Sequence, residues 1–243
     1  MKNKIILVSG DPNSINSEII YKTWKRLNKS LKRRIFIISN TNLLIQQFKK
    51  LKYSIKIVSI NNFNQKISNN CLKVFNVDLS FKNPFKVSKI NSSKFVIDCL
   101  DYAHKLSLSN DNVGIINCPI NKNLLKKNKI GVTEFLAKKC KIRKDTEVML
   151  IYNKKLAVSP ITTHVDLKEV SKKINTLLIV KKVIKINSWY MKNLNKKPKI
   201  GILGLNPHNG ELRKNSEEKK KIIPAILKLK KLNINVIGPL VTD

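Results

Sequence analysis

Short runs of apolar residues alternate along the chain with longer stretches in which apolar residues recur every three or four positions. Runs rich in isoleucine and valine are typical of buried strands, whereas a spacing of i, i+3, i+4 and i+7 indicates one face of a helix. Strands are predicted at 5–8, 35–39, 55–60, 72–77, 113–118, 148–152, 156–159, 200–203 and 234–237. Helices are predicted at 17–27, 42–51, 92–108, 133–140, 166–193 and 216–232. Because strands that alternate with helices form parallel sheets, the pattern predicts a doubly wound α/β fold in two lobes.

The size of the chain allows two domains with buried cores, since it has 243 residues of which 42% are hydrophobic. No apolar run in the sequence is long enough to cross a bilayer. The N-terminal apolar run is too short for the core of a signal peptide and leads directly into a Gly10-Asp11-Pro12 loop. We therefore expect this run to be the first strand of a cytoplasmic protein.

The formal net charge of +34 comes mainly from lysine, because only five of the 49 basic residues are arginine. Lysine, asparagine and isoleucine have AT-rich codons, so an AT-rich genome explains much of this composition without a polyanionic partner. Proteins that read nucleic acids favour arginine and stacked aromatic rings, whereas here lysine is spread over every segment and aromatic residues make up 6%. We expect no nucleic-acid partner, although the positive field would attract phosphorylated substrates. The four cysteines form no C-x-x-C pair and are expected to be reduced and mostly buried.

Two polar segments contain candidate groups for binding an anion, in a chain without the common nucleotide-binding loops or nucleophile elbow. Lys122 follows the predicted strand at 113–118 and could hold a phosphate or a developing alkoxide as a point charge. One lysine among 44 is weak evidence by itself. Thr133 could cap a helix whose free N–H groups receive a phosphate, or it could be a cap without a ligand.

Two of the three histidines follow strand-like runs, in the segments Thr162-Thr163-His164 and Asn206-Pro207-His208-Asn209-Gly210-Glu211. A single histidine is more often structural than a ligand, but two at strand ends can converge in a cleft and hold a divalent metal. The residues alone leave both interpretations open. The third histidine, His104, lies in an amphipathic helix and is expected to be a surface or packing residue.

The order and spacing of these segments resemble those of the 4-hydroxythreonine-4-phosphate dehydrogenase family (PdxA) of vitamin B6 biosynthesis. That family has a Gly-(Glu/Asp)-Pro loop, a strand that ends in Pro-(Ile/Val)-x-Lys, a Gly-His-Thr-Glu-(Phe/Tyr) segment, Thr-Thr-His, and Leu-Asn-Pro-His-x-Gly-Glu. The corresponding segments of this chain are Gly10-Asp11-Pro12, Pro119-Ile120-Asn121-Lys122, Gly131-Val132-Thr133-Glu134-Phe135, Thr162-Thr163-His164 and Leu205–Glu211. The final segment, Gly238–Asp243, is similar to the family's Gly-Pro-Leu-x-x-Asp.

The resemblance implies a two-lobed α/β/α subunit like those of isocitrate and isopropylmalate dehydrogenases, which works as a homodimer with a shared active site. It implies NAD or NADP as cofactor and oxidation of the secondary alcohol of 4-phosphooxy-L-threonine, followed by decarboxylation to 3-amino-2-oxopropyl phosphate. By the same resemblance, His164 and His208 would bind a divalent metal (Zn, Mg or Co), Thr133 would contact the phosphorylated substrate and Lys122 would assist catalysis. Residues 1–128 would form the first lobe and residues 129–243 the second lobe, which carries the metal ligands.

The chain also departs from the family pattern. Val132 stands where the family has a substrate-contacting histidine, and Ser14 and Asn16 stand where it usually has glycine. The third metal histidine and the nicotinamide site are expected downstream of Asp243, so the chain is expected to lack a C-terminal part that would also complete the first lobe. Two alternatives therefore stay open: a dehydrogenase of a related phosphorylated sugar acid (threonate or erythronate 4-phosphate), and a truncated, non-catalytic basic domain.

Overall fold

A sheet of five parallel strands forms the centre of the N-terminal part of the chain. The strands are β1 Lys4–Val8, β2 Ile35–Ser39, β3 Ile57–Ile60, β4 Leu72–Asn76 and β5 Val113–Asn117, and they lie in the order β3-β4-β2-β1-β5. The computed structural model describes residues 3–109, 113–125, 131–141, 147–153, 155–163 and 165–241. By its internal contacts the chain divides into two compact units, Met1–Lys139 and Cys140–Asp243.

Helices cover both faces of this sheet. They are α1 Asn16–Arg26, α2 Lys29–Arg34, α3 Thr41–Lys50, α4 Lys89–Leu108 and α5 Val132–Lys139. Alternation along β1 sends Ile6 and Val8 into the cluster that α4 completes with Phe95, while Leu7 packs on the opposite cluster, which contains Trp24 of α1. A parallel sheet buried on both faces explains why its strands read as continuous apolar runs. The predicted α/β class is confirmed.

In the described residues of the second unit there are two small sheets and three α-helices. The strands β6 Ile151–Tyr152 and β7 Ala157–Val158 pair antiparallel, and β8 Ile200–Leu203 and β9 Val236–Leu240 pair parallel. The helices are α6 Leu167–Lys173, α7 Thr176–Leu194 and α8 Ile223–Lys231, the last preceded by a π-helical turn, Glu218–Ile222. Apolar residues of α7, α8, β8 and β9 form one core, which includes Ile179, Ala225 and Leu229.

The prediction of a single helix at 166–193 is wrong, because two helices, α6 and α7, occupy this stretch. The chain leaves the helical conformation at Ile174, and the Asn175 side chain accepts a hydrogen bond from the backbone N–H of Leu178, at 2.9 Å, to begin α7. The helix predicted at 216–232 is present but widened at its start. Pro224 has no N–H and its ring crowds the carbonyl one turn earlier, which explains the π turn that precedes it.

The division between the units falls after α5, whereas the family resemblance implied a boundary after residue 128. α5 stays with the first unit because Val132 and Phe135 pack on the α4 cluster. Lys139 also pairs with Asp101 of α4, at 2.8 Å. Within the described residues, no helix is both long enough and apolar enough to span a membrane. Cys71, Cys99, Cys118 and Cys140 are all reduced thiols, and the first three are buried, as expected.

Candidate functional site

The strand order of the first sheet reverses between β1 and β5, and the loops that follow these two strands meet at its carboxyl edge. The chain runs from β1 to β2 on one side of the sheet and later places β5 on the other side of β1. Such a switch point opens a crevice in which α/β proteins bind ligands. Here the loop after β1 contains Gly10 and the loop after β5 contains Pro119, and the Asp11 N–H donates to the Pro119 carbonyl at 3.4 Å.

Asn16, at the start of α1, ties these loops together. Its buried side-chain amide donates to the carbonyls of Ser9 and Pro119, both at 2.8 Å, and of Asp11 at 3.3 Å. Gly10 permits this close approach: its φ is +73°, and a Cβ there would lie 2.7 Å from both the Asn16 amide nitrogen and the Pro119 oxygen. From the sequence, Asn16 is only a departure from glycine; the local pattern does not predict this role, which joins residues 103 positions apart.

Neither Ser14 nor Asn16 needs the conformational freedom of glycine, because neither has a positive φ. Ser14 donates its hydroxyl to the Asp11 carbonyl at 3.1 Å, and the Asp11 carboxylate accepts from the Asn13 N–H at 2.9 Å. The loop is thus built by its own polar side chains. These two replacements therefore leave the turn intact.

Lys122 begins a 3₁₀ turn, Lys122–Leu125, that follows the loop after β5. Its side chain is exposed, whereas Leu124 and Leu125 are buried in the α4 cluster and anchor the turn. The Asn121 side chain accepts from the Asn123 N–H at 3.0 Å, which fixes the start of the turn. A cation on a short anchored turn beside the switch point is suited to attract an anion entering from solvent.

Thr133 is exposed but is not the helix cap that the sequence predicted. α5 already begins at Val132, and the Gly131 carbonyl accepts the first helical hydrogen bond from the Phe135 N–H at 3.0 Å. The Glu134 carboxylate lies beside Gly131, since a Cβ placed there would be 2.7 Å from its oxygen. That carboxylate already supplies negative charge at the positive end of the helix dipole. Val132, which stands where the family has a histidine, is partly buried and packs against the α4 cluster.

The segment that bears His208 is a left-handed turn in the second unit. His208, Asn209, Gly210 and Glu211 have φ between +50° and +58° and ψ between +24° and +32°, and Leu212 has φ +52°. Left-handed backbone costs roughly 1–2 kcal/mol for each non-glycine residue, so the turn needs support from its surroundings. The His208 side chain is exposed, while Asn209 and Gly210 are buried.

Buried polar groups supply that support. The carboxylate of Glu218, which is 0% exposed, accepts hydrogen bonds from the Leu205 N–H at 2.9 Å and the Asn206 N–H at 2.8 Å. The Asn206 side chain donates to both of its oxygens, at 3.2 and 3.1 Å. Burial would raise the pKa of Glu218, but these hydrogen bonds outweigh it and lower the pKa to about 2. On the other side, the Asn209 side chain donates to the Pro239 carbonyl at 3.1 Å.

The predicted metal ligands can be compared with the structure at His208 only, because His164 lies outside the described residues. An exposed imidazole on a turn of fixed backbone suits one ligand position of a divalent metal. Within the parts of the chain that the structure describes, no three His, Cys, Asp or Glu side chains gather as a metal-binding cluster. Lys122 and Thr133 belong to the first unit and His208 to the second.

The fold and these strand-end loops define the chain as an α/β protein of the kind seen in two-lobed dehydrogenases. A solved 4-hydroxythreonine-4-phosphate dehydrogenase from Burkholderia phymatum matches 99% of this chain with a TM-score of 0.84 and 25% identity, over 74% of its own length. The family model described as "Pyridoxal phosphate biosynthetic protein PdxA" matches residues 30–243. The chain belongs to the PdxA family of oxidoreductases.

Curated relatives agree with this membership. The 4-hydroxythreonine-4-phosphate dehydrogenase of Aquifex aeolicus (strain VF5) is 33% identical over 100% of this chain. A relative from Oceanobacillus iheyensis, provisionally named D-threonate 4-phosphate dehydrogenase, is 30% identical over 98% of the chain. The chain spans about three quarters of the length of these relatives, 75% and 73% respectively.

Proposed function

We propose that this protein takes part in pyridoxine 5'-phosphate biosynthesis as an NAD- or NADP-dependent oxidoreductase acting on 4-phosphooxy-L-threonine. The alcohol at C3 would lose its proton to solvent or a base and its hydride to the nicotinamide, giving a 2-amino-3-oxo acid. Loss of CO₂ from this β-keto acid would then give 3-amino-2-oxopropyl phosphate. The observation that carries the proposal is the Leu205–Glu211 motif, which in this member of the PdxA family forms a constrained turn with an exposed imidazole.

In this proposal the residues have separate tasks. His208 and His164 would hold a divalent cation (Zn²⁺, Mg²⁺ or Co²⁺), which when bound supplies positive charge that stabilises the alkoxide and later the enolate. Lys122 would neutralise phosphate or alkoxide charge, and Thr133 would contact the substrate. We further propose a homodimer with a shared active site.

The direct test supplies the protein with NAD⁺ or NADP⁺, one divalent metal and 4-phosphooxy-L-threonine, and follows the absorbance of reduced nicotinamide. His208→Ala should abolish turnover and metal uptake. Lys122→Ala should raise KM for the phosphorylated substrate. Lys50→Ala is the matched control, because Lys50 is exposed in the last turn of α3, at the opposite edge of the sheet. Absence of turnover by the protein with every metal and both nucleotides would overturn the proposal.

A second candidate is oxidation of D-threonate 4-phosphate, which carries a hydroxyl where 4-phosphooxy-L-threonine carries an amino group. Two observations support this second candidate. One is the similarity to the Oceanobacillus relative, and the other is that Val132 stands where the family has a substrate-contacting histidine. Assay of both substrates side by side separates the candidates by kcat/KM. If neither is oxidised, no metal binds and polyanions bind in a salt-sensitive way, the chain is a basic binding domain.

A further inference from the structure

Glu218 is a fully buried carboxylate that accepts hydrogen bonds from one short stretch of chain. Charged groups are costly to bury unless they are paired or well hydrogen-bonded. The ion pairs found among the described residues do not include Glu218. Its side-chain oxygens instead accept from the backbone N–H groups of Leu205 and Asn206 and from the Asn206 side chain. These two residues lead directly into Pro207-His208.

The same carboxylate also contacts the turn beyond His208. A Cβ placed on Gly210 would lie 3.0 Å from a Glu218 oxygen and 3.0 Å from the Ser216 Cβ. Glu218 therefore holds the residues before His208 by hydrogen bonds and packs against the backbone after it. A left-handed turn made largely of non-glycine residues relaxes to right-handed geometry unless such contacts oppose it.

We propose that Glu218 is a positioning residue, which fixes the direction of the His208 imidazole for a divalent metal. The inference rests on the proposed function, in which His208 is a metal ligand. Glu218 itself bonds to backbone and amide groups and acts through the turn. Glu218 is the first residue of the π-helical turn Glu218–Ile222, which directly precedes α8.

The test compares Glu218→Gln with wild type in Co²⁺ binding, measured by titration calorimetry and by the visible absorption of bound Co²⁺. Glutamine has nearly the same size as glutamate, but an NH₂ group replaces one of the two carboxylate oxygens. This NH₂ group cannot accept the hydrogen bonds that the carboxylate oxygen accepted. We expect a 10–100-fold loss of Co²⁺ affinity and an altered absorption spectrum. The measurements are made well below the melting temperature, where a purely structural role would leave the affinity of the folded protein unchanged.

Glu169→Gln is the matched control, because Glu169 is on α6 of the same unit and pairs with Lys172 at 3.1 Å on the surface. It should bind Co²⁺ like the wild type. If Glu218→Gln does not fold, Asn206→Ala serves instead, because it removes the side-chain donors and leaves both backbone hydrogen bonds to Glu218. A smaller, several-fold loss of affinity is then expected.

The outcomes separate this inference from the proposed function. If the wild type binds Co²⁺, His208→Ala does not, and the Glu218 or Asn206 variant binds as tightly as Glu169→Gln, the positioning role is wrong and the metal site stands. If the wild type takes up no Co²⁺, the metal-dependent function is wrong and the positioning role is wrong with it. Lower affinity and a changed spectrum in the folded variant support both.

Discussion

Replacement of Asn16 by alanine should destabilise the first unit by about 2–4 kcal/mol. The change removes two 2.8 Å hydrogen bonds, to Ser9 and Pro119, and one of 3.3 Å, to Asp11. Each such bond contributes about 0.5–1.5 kcal/mol net, and a buried carbonyl left without a donor costs a further ~1–3 kcal/mol. The unpartnered Asn16 carbonyl oxygen, which is also buried, is lost with the side chain and offsets part of this cost.

Urea denaturation can measure this change through tryptophan fluorescence. Trp24 is 4% exposed in the first unit and Trp189 is 44% exposed in the second, so a Trp189→Phe background leaves Trp24 as the reporter of the first unit. With an m-value of about 2 kcal/mol/M, the midpoint should fall by about 1–2 M. Asn42→Ala is the control, because Asn42 is exposed and makes one 3.3 Å bond to Gln46.

The control should change the unfolding free energy by less than about 0.5 kcal/mol. If Asn16→Ala were as stable as Asn42→Ala, the Asn16 side-chain amide could not be the group that holds the two loops together, and the prediction would be refuted. If stability falls as expected while KM for the phosphorylated substrate also rises, the tie contributes to the crevice beside Lys122 as well as to the fold.

Three further outcomes follow from burial and close contacts. Burial lowers the pKa of Lys73 from 10.5 to about 8, so the unfolded chain binds more protons between these values. Stability measured by urea should therefore rise with pH from about 8 to about 10.5, and rise less in Lys73→Met. A Cβ at Gly204 would overlap Asn209 Oδ1, so Gly204→Ala should cost about 1–3 kcal/mol on thermal unfolding, whereas Gly114→Ala, with open space around it, should change stability by less than about 0.5 kcal/mol. A thiol reagent should modify Cys140 rapidly in the native protein; a second fast thiol would contradict the buried positions of the others.

The apolar pattern predicted the first sheet well because its strands are buried on both faces. β1, β2 and β5 lie within one residue of their predicted bounds, and β3 begins two residues later than predicted. A strand that is buried on both faces is a continuous run of apolar residues, so the local sequence is enough to identify it. The break between α6 and α7 was missed because apolar residues continue through Ile174 and only the Asn175 cap marks the new helix.

The buried hydrogen bonds that hold the candidate site in place could not be predicted from the local sequence. Ser216-Glu217-Glu218 reads as the charged start of a helix, which suits the positive end of its dipole. Only the packed fold reveals that Glu218 is 0% exposed and bonded to a loop 12 and 13 residues earlier. The motif around His208 was found from its residue types, whereas its left-handed backbone and its anchor depend on tertiary contacts.

The position of β1 at the inside of its sheet has a consequence for folding during synthesis. β1 leaves the ribosome before both of its neighbours, β2 and β5, and β5 begins only at Val113. At roughly 5–20 residues per second, the ribosome takes about 5–20 s to make the intervening chain. During that interval one edge of β1, an apolar strand, is open to wrong pairing with other chains. Chaperone dependence of the nascent chain should therefore end only after β5 has emerged.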